Sequence, residues 1–195
     1  MRRGARAGSL RRVKIAFLFP GQGSQGVAMV DPWLNHPAGK DVVERSSAVL
    51  GWDVASTSRD PEALKRTEVV QLAVFVCDLA AHSVLTAEGV RCDMAAGHSL
   101  GEYAALVAAG VVELEPALEA LGTRAEAMGR ASRDNPGAMT ALIGVSPEDA
   151  AEICAVAGRG DVLAVANENS AKQTVKPAPA KSVIQMISGT SPVDR

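Results

Sequence analysis

Residues 97–101, Gly-His-Ser-Leu-Gly, constrain the possible folds of this chain more than any other segment. This Gly-x-Ser-x-Gly pattern follows a small apolar run at 94–96 and leads into a helical sequence from Glu102, which predicts a strand, a sharp turn and a helix. The glycines allow strand and helix to approach closely, and the helix N-terminus stabilises negative charge that develops at the turn. Ser99 is therefore predicted to be a nucleophile of acyl transfer, and a structural turn serine is the alternative.

The length and composition of the chain indicate an ordinary globular protein. Its 195 residues suffice for one sizeable domain, or for one domain and a small second one. Hydrophobic residues make up 47% and aromatic residues only 3%, so we expect a core built mostly from Ala, Val and Leu. The net charge of −2 gives no indication of nucleic-acid binding. No apolar run approaches the roughly 18 residues of a membrane span.

The cysteines and the N-terminal residues predict a cytoplasmic protein. Cys77, Cys92 and Cys154 form neither a Cys-x-x-Cys motif nor a metal-ligand pattern, and we expect them to be reduced. Residues 1–12 are rich in Arg and contain no acid, but the apolar run behind them, 15–19, is too short for a signal peptide. Residues 1–12 are therefore expected to form a basic, disordered extension.

A glycine-rich loop follows the first predicted strand. Residues 13–19 form a nearly continuous apolar run, which is typical of a buried parallel strand. The following Gly21-x-Gly23-x-x-Gly26 is similar to a dinucleotide-binding loop. That interpretation is not favoured, because two prolines interrupt the helix that should follow and no acidic residue ends a second strand.

A turn signal at 135–137, Asn-Pro-Gly, separates two predicted regions. Residues 13–131 are expected to form an α/β core, residues 132–175 the start of a small second subdomain, and residues 176–195 an aberrant, linker-like tail. His36 and His82 are interpreted as a surface residue and a solvated helix residue. The predicted elements are helices at 40–50, 60–66, 71–86 and 116–132, a strand at 138–145, a helix ending near 156 and a strand at 162–166.

Four features together carry a family resemblance. The strand-end sequence FPGQGSQ at 19–25, Gln71, the sequence GHSLGEYAALVAAG at 97–110 and Arg124 resemble the malonyl-CoA:acyl-carrier-protein transacylase family of fatty-acid and polyketide synthesis. The resemblance covers residues 13–175, and the discrete bacterial enzymes are the closer match. It implies an α/β-hydrolase-like parallel-sheet core with an inserted ferredoxin-like small subdomain, which is incomplete in this chain.

The resemblance also implies a reaction. Ser99 would take the malonyl group from coenzyme A as an ester and pass it to the phosphopantetheine thiol of acyl carrier protein. The backbone N–H groups of Gln22 and Leu100 would form the oxyanion hole, and the guanidinium of Arg124 would bind the free carboxylate of malonate. Malonyl-CoA enters as a substrate, and neither a tightly bound cofactor nor a metal ion is implied. Further pocket positions are Gln71, His98, Asn167, Asn169 and Gln173.

The chain departs from the family at the general base. The family has a Gly-x-x-His motif well after the nucleophile, whereas the histidines here, His36, His82 and His98, all precede Ser99. His98 adjoins the serine, but neighbours at a sharp turn point in different directions, so it is not expected to act as the base. We expect a truncated transacylase with residual or no activity, and with uncovered apolar faces that favour association.

Two other functions compete with this interpretation. A serine esterase of the α/β-hydrolase type shares the elbow but requires an acid and a histidine after the serine, and no such histidine is present. An inactive fragment that at most binds acyl-CoA or carrier protein remains the alternative.

Overall fold

The computed structural model describes residues 13–158, 163–165, 167–170 and 173–178. Contacts divide the chain into two compact units, the first ending at Gly129 and the second beginning at Arg130. The predicted extension at 1–12, and residues 179–195 of the predicted tail, lie outside the described residues.

The first unit combines two strands with five α-helices and two short 3-10 helices. In chain order its elements are β1 (Ala16–Phe19), a 3-10 helix (Asp31–Asn35), α1 (Pro37–Leu50), α2 (Val54–Ser58), a second 3-10 helix (Ala63–Lys65), α3 (Thr67–Ala87), β2 (Met94–Gly97), α4 (Gly101–Ala108) and α5 (Leu114–Asp134), whose last residues belong to the second unit.

Strands β1 and β2 pair in parallel, with Ala16 opposite Met94 and Phe19 opposite Gly97. Side chains alternate across a strand, and only one face of this pair meets the core, where Phe19 is 7% exposed. On the opposite face Leu18 is 76% exposed. The prediction of a buried parallel strand is therefore right for its pairing and wrong for one of its faces.

Helix α3 is the central element of the core. Its buried positions include Phe75, Val76 and Leu79, and it contacts α1, α2 and α4. It is also long and apolar enough to cross a membrane by composition, with a mean hydropathy of 1.7 over its best 18-residue window, although half of that window is buried inside the fold. The sequence-based statement that no apolar run approaches a membrane span is wrong for this helix.

His36 and His82 make contacts that the sequence analysis did not predict. His36 caps α1, where Nδ1 accepts from the N–H of Ala38 at 3.1 Å, and Nε2 lies 3.2 Å from Glu88 Oε1. His82 is only half-exposed and meets the rings of Phe17 and Phe19 edge-on, with centroids 5.7 and 6.1 Å away. Burial lowers the pKa of His82. It therefore packs against the side chains of β1 rather than pointing into solvent.

Besides the end of α5, the described residues of the second unit form an antiparallel sheet and one further helix. Its elements are β3 (Ala138–Ile143), α6 (Pro147–Ala157), β4 (Asn167–Ser170) and β5 (Gln173–Ala178), with strand order β3-β5-β4. The predicted strand at 162–166 is wrong for residues 163–165, which the structure describes and which are not in a strand; Asn167 of β4 pairs with Val175 of β5. Strand β5 also extends three residues into the predicted tail. Among the described residues, β4 pairs no farther along β5 than Val175, and Pro177 lies beyond that point, opposite Met139 of β3.

Candidate active site

The turn between β2 and α4 holds Ser99 in a strained backbone conformation. Its φ is 56°, in the left-handed region that residues with a side chain rarely adopt. The turn is closed by a hydrogen bond from the N–H of Gly101 to the carbonyl of His98 at 3.0 Å, and the helix begins with the N–H of Glu102 donating to the carbonyl of Ser99 at 3.2 Å. The predicted strand, turn and helix around the serine are confirmed.

Close packing explains the glycines on both sides of the serine. A methyl group at Gly97 would collide with the backbone of Gly101, and one at Gly101 would collide with the carbonyl oxygens of Phe19 and Pro20. Helix α4 therefore begins directly against the end of β1. The fully buried side chain of Leu100 anchors this helix start in the core.

The loop after β1 lies against the same turn. A methyl group at Gly21 would lie 2.8 Å from both Nδ1 and the carbonyl oxygen of His98, so the loop backbone abuts the residue before the nucleophile. Within the loop, Ser24 Oγ donates to the carbonyl of Gly21 at 2.8 Å, and the N–H of Gly23 donates to Gln25 Oε1 at 2.7 Å. This closed turn is followed by a short 3-10 helix at Asp31–Asn35, which agrees with the sequence-based argument against a dinucleotide-binding loop.

Arg124 on α5 reaches the nucleophile directly. Its Nη2 donates to Ser99 Oγ at 2.7 Å, and its Nη1 donates to Gln71 Oε1 on α3. The residues come from three helix or turn segments that are 25 and 53 positions apart in the sequence. Tertiary packing therefore brings the predicted nucleophile, the predicted carboxylate-binding arginine and the predicted pocket glutamine into one cluster.

Gln71 is fully buried behind this cluster. While Oε1 accepts from Arg124, Nε2 donates to Met128 Sδ at 3.4 Å, so both ends of the amide are held by α5. The sequence analysis did not identify Met128. The available signal was its position four residues after Arg124, which places both on one face of the helix.

The remaining predicted residues are His98, beside the nucleophile, and three residues of the second unit. His98 is exposed and lies against Gly21. Asn167, Asn169 and Gln173 belong to the second unit, on β4 and at the start of β5. The pairing of these strands is irregular between Glu168 and Ser170, so Asn169 lies at the irregularity.

The cluster combines a serine hydroxyl with an adjacent guanidinium, two of the groups that a serine site can use in acyl transfer. The Ser99 hydroxyl lies at the N-terminal end of α4, where the helix dipole favours negative charge. A guanidinium within hydrogen-bond distance adds a fixed positive charge that can bind a carboxylate with two parallel hydrogen bonds. A serine beside such a cation suits an acyl group that carries its own negative charge.

Comparisons with known proteins agree with this chemistry. Residues 16–192 match the model of the acyl transferase domain family. The chain is 39% identical over 166 residues to the malonyl CoA-acyl carrier protein transacylase of Escherichia coli strain K12, which covers 83% of this chain and 54% of the relative. It is 36% identical over 174 residues to the transacylase of Bacillus subtilis strain 168, covering 87% and 55%.

Solved structures show the same fold. The malonyl CoA-acyl carrier protein transacylase from Coxiella burnetii superposes with a TM-score of 0.81 at 35% identity, covering 90% of this chain and 57% of that one. A malonyl-transacylase solved in complex with a type II PKS acyl-carrier protein gives a TM-score of 0.80 at 30% identity, covering 91% and 60%. The chain thus has a mixed α/β fold and spans just over half the length of the relatives it matches. It belongs to the acyl transferase domain family.

Proposed function

We propose that this chain carries the nucleophile half of a malonyl-CoA:acyl-carrier-protein transacylase. The observation that supports it best is the 2.7 Å hydrogen bond between Arg124 Nη2 and Ser99 Oγ. Ser99 Oγ attacks the thioester carbonyl of malonyl-CoA, the C–S bond breaks, and coenzyme A leaves as the thiol. The phosphopantetheine thiol of acyl carrier protein then attacks the Ser99 ester, and the serine hydroxyl is restored.

Arg124 selects acyl groups that end in a carboxylate. Without substrate its Nη2 is bonded to Ser99 and its Nη1 to Gln71. A malonyl carboxylate takes over these donors as a bidentate partner, which frees the serine oxygen for attack. A neutral acyl group of similar size, such as acetyl, offers no such exchange.

The oxyanion of the tetrahedral intermediate is stabilised by two backbone N–H groups, those of Gln22 and Leu100. Leu100 lies at the N-terminal end of α4, and the loop of Gln22 abuts the turn through Gly21. Backbone donors that are fixed before substrate binds need little reorganisation during the reaction.

The rest of the assignment follows the family. We infer an α/β-hydrolase-like core over residues 13–131 and the start of a ferredoxin-like subdomain over 132–175. Asn167, Asn169, Gln173 and His98 are kept as further pocket residues on the basis of the family resemblance. The protein is placed in the cytoplasm, with malonyl-CoA and acyl carrier protein as substrates and no tightly bound cofactor.

Acylation of Ser99 is expected to be slow in this 195-residue chain. No histidine follows Ser99 in the sequence, and general-base assistance is typically worth about 10²–10⁴-fold in rate. An alternative function is that of an inactive chain that binds acyl-CoA or carrier protein without forming an ester. The same absence of a later histidine favours this alternative.

Intact-protein mass spectrometry after incubation with malonyl-CoA tests the proposal. We expect a slowly accumulating malonyl adduct that maps to Ser99, is absent in Ser99→Ala, and is at least tenfold slower in Arg124→Gln. Arg130→Gln, an exposed arginine on the same helix, is the matched control and should label at the wild-type rate. The full-length Escherichia coli relative serves as the positive control.

Labelling by acetyl-CoA, which has no free carboxylate, shows whether Arg124 acts on the malonyl carboxylate or on the reactivity of Ser99 in general. Arg124→Gln should slow labelling by malonyl-CoA but leave labelling by acetyl-CoA largely unchanged. A folded wild-type chain that forms no adduct would contradict catalysis by this chain and favour the binding-only alternative. Equal labelling by the two thioesters would contradict the role of Arg124.

A further inference from the structure

The first residue of α3, Thr67, makes a hydrogen bond that the mechanism above does not use. Its Oγ1 donates to Gln22 Oε1 at 3.0 Å, although 45 residues separate the two. Thr67 is the first helical residue of α3, and the residue before it, Arg66, is the N-cap and makes no side-chain capping bond. The Thr67 hydroxyl is therefore joined to the glycine-rich loop and not to the cap of its own helix.

The loop around Gln22 needs an external support. Gln22 is exposed and lies next to Gly23, whose φ of 110° only glycine adopts readily. The bonds from Ser24 and to Gln25 join the loop only to itself. The bond from Thr67 joins the Gln22 side chain to a helix that packs in the core.

The same helix supports the other side of the cluster. Gln71 lies four residues after Thr67, and positions i and i+4 share a helix face. Gln71 holds Arg124, which in turn reaches Ser99. The start of α3 therefore contacts both the loop that carries the proposed oxyanion donor and the arginine that carries the proposed carboxylate site.

We propose that Thr67 is a positioning residue: its hydroxyl holds Gln22, and with it the Gln22 backbone N–H, in place beside Ser99. The proposal rests on the function assigned above to Gln22. Thr67 touches neither substrate nor the reacting atoms in this role. It acts through the loop, and its effect depends on the Gln22 side chain.

Two variants of the full chain isolate the hydroxyl. Thr67→Val keeps the branched shape and removes the donor, whereas Thr67→Ser keeps the donor. For Ser99 acylation by malonyl-CoA, Thr67→Val should lower the maximal rate about fivefold, the factor that one uncharged hydrogen bond is worth. The half-saturating malonyl-CoA concentration should not change, and Thr67→Ser should stay within twofold of wild type. In a Gln22→Ala background, which keeps the backbone N–H, Thr67→Val should have no further effect.

Amide hydrogen exchange provides a readout that does not depend on activity. Exchange at residues 21–25 should be faster in Thr67→Val and in Gln22→Ala, and unchanged in Thr67→Ser. Gln22→Ala leaves α3 intact, so it decides the question even when Thr67→Val fails to fold.

The two proposals fail in different ways. Unlabelled wild-type protein overturns the proposed function, and the exchange data then decide the role of Thr67 by themselves. Exchange at residues 21–25 that is the same in wild type and in Gln22→Ala overturns the positioning role. A rate loss in Thr67→Val that persists in the Gln22→Ala background also overturns it, because the effect would then not pass through Gln22.

Discussion

At the scale of single residues, the partly buried carboxyl group of Asp78 lowers the stability of the first unit when it is ionised. It lies on α3, and its Oδ2 is buried without a hydrogen-bond partner among the described residues. Burial raises the pKa of Asp78 to about 7. The folded chain therefore retains a proton that the unfolded chain releases near pH 4.

This difference makes the free energy of unfolding depend on pH. Between about pH 4 and pH 7 the folded state binds more protons than the unfolded state, so stability falls as pH rises through this window and levels off above it. We expect Asp78→Asn, which is neutral and of the same shape, to be more stable than wild type at pH 8, by about 1 kcal/mol or more, and to lose that advantage at pH 5.

Urea unfolding of both proteins at pH 5 and pH 8 measures this effect. The matched control is Glu113→Gln, which neutralises an exposed carboxyl in the same unit and should give no comparable gain at pH 8. A gain for Asp78→Asn that is equal at the two pH values would contradict the linkage to Asp78 ionisation.

At the scale of secondary-structure elements, the close contact between the end of β1 and the start of α4 fixes the position of the turn that carries Ser99. Gly101 touches the carbonyl oxygens of Phe19 and Pro20, which are backbone atoms and cannot rotate away. We expect Gly101→Ala to lower the free energy of unfolding by about 1–3 kcal/mol, since the added methyl group must displace β1. Labelling of Ser99 should slow as well, because the turn and the loop at Gly21 move with that strand.

Gly122 on α5 is the matched control for the Gly101 substitution. A methyl group there meets no atom within 4 Å, and replacing a mid-helix glycine by alanine typically stabilises a helix by about 1 kcal/mol. Opposite signs for Gly101→Ala and Gly122→Ala in urea unfolding are the expected outcome. A stabilised Gly101→Ala variant would show that the junction is looser than described.

At the scale of the whole molecule, the parallel strand pair leaves one apolar face open in the described chain. The residues of that face alternate with the core-facing ones, and both Leu18 and Met94 are more than half exposed, at 76% and 54%. Parallel sheets are normally covered on both faces. We therefore expect the chain to associate as its concentration rises, because contact between copies removes this apolar surface from water.

Sedimentation velocity across a hundredfold range of concentration measures this association. Leu18→Lys should shift the protein toward the monomer. Val111→Lys is the control, since Val111 is also apolar and exposed, at 66%, but belongs to the segment after α4 and to neither strand. Association that is equally strong in Leu18→Lys would place the contact on another surface.

Sequence patterns predicted the local structure where neighbouring residues alone determine it. The glycines around Ser99 and the apolar run before them predicted β2, the turn and α4, because the steric demand acts between residues a few positions apart. The sequence pattern also correctly predicted helices over most of α1, α3 and α5. The pairing of Arg124 with Ser99 was not visible in any pattern of spacing, and the family resemblance alone suggested that both belong to one site.

The tertiary structure decided which side chains meet. The bonds from Arg124 to Ser99 and Gln71, and from Thr67 to Gln22, join residues that lie 25 to 53 positions apart. One face of the strand pair is exposed because no other element of the described chain packs against its residues. The sequence could not predict this exposure, since an apolar strand has the same sequence pattern whether or not another element covers it. Local steric demands and hydrophobic periodicity can be recognised in the sequence, whereas contacts between distant segments form only when the helices and strands pack together.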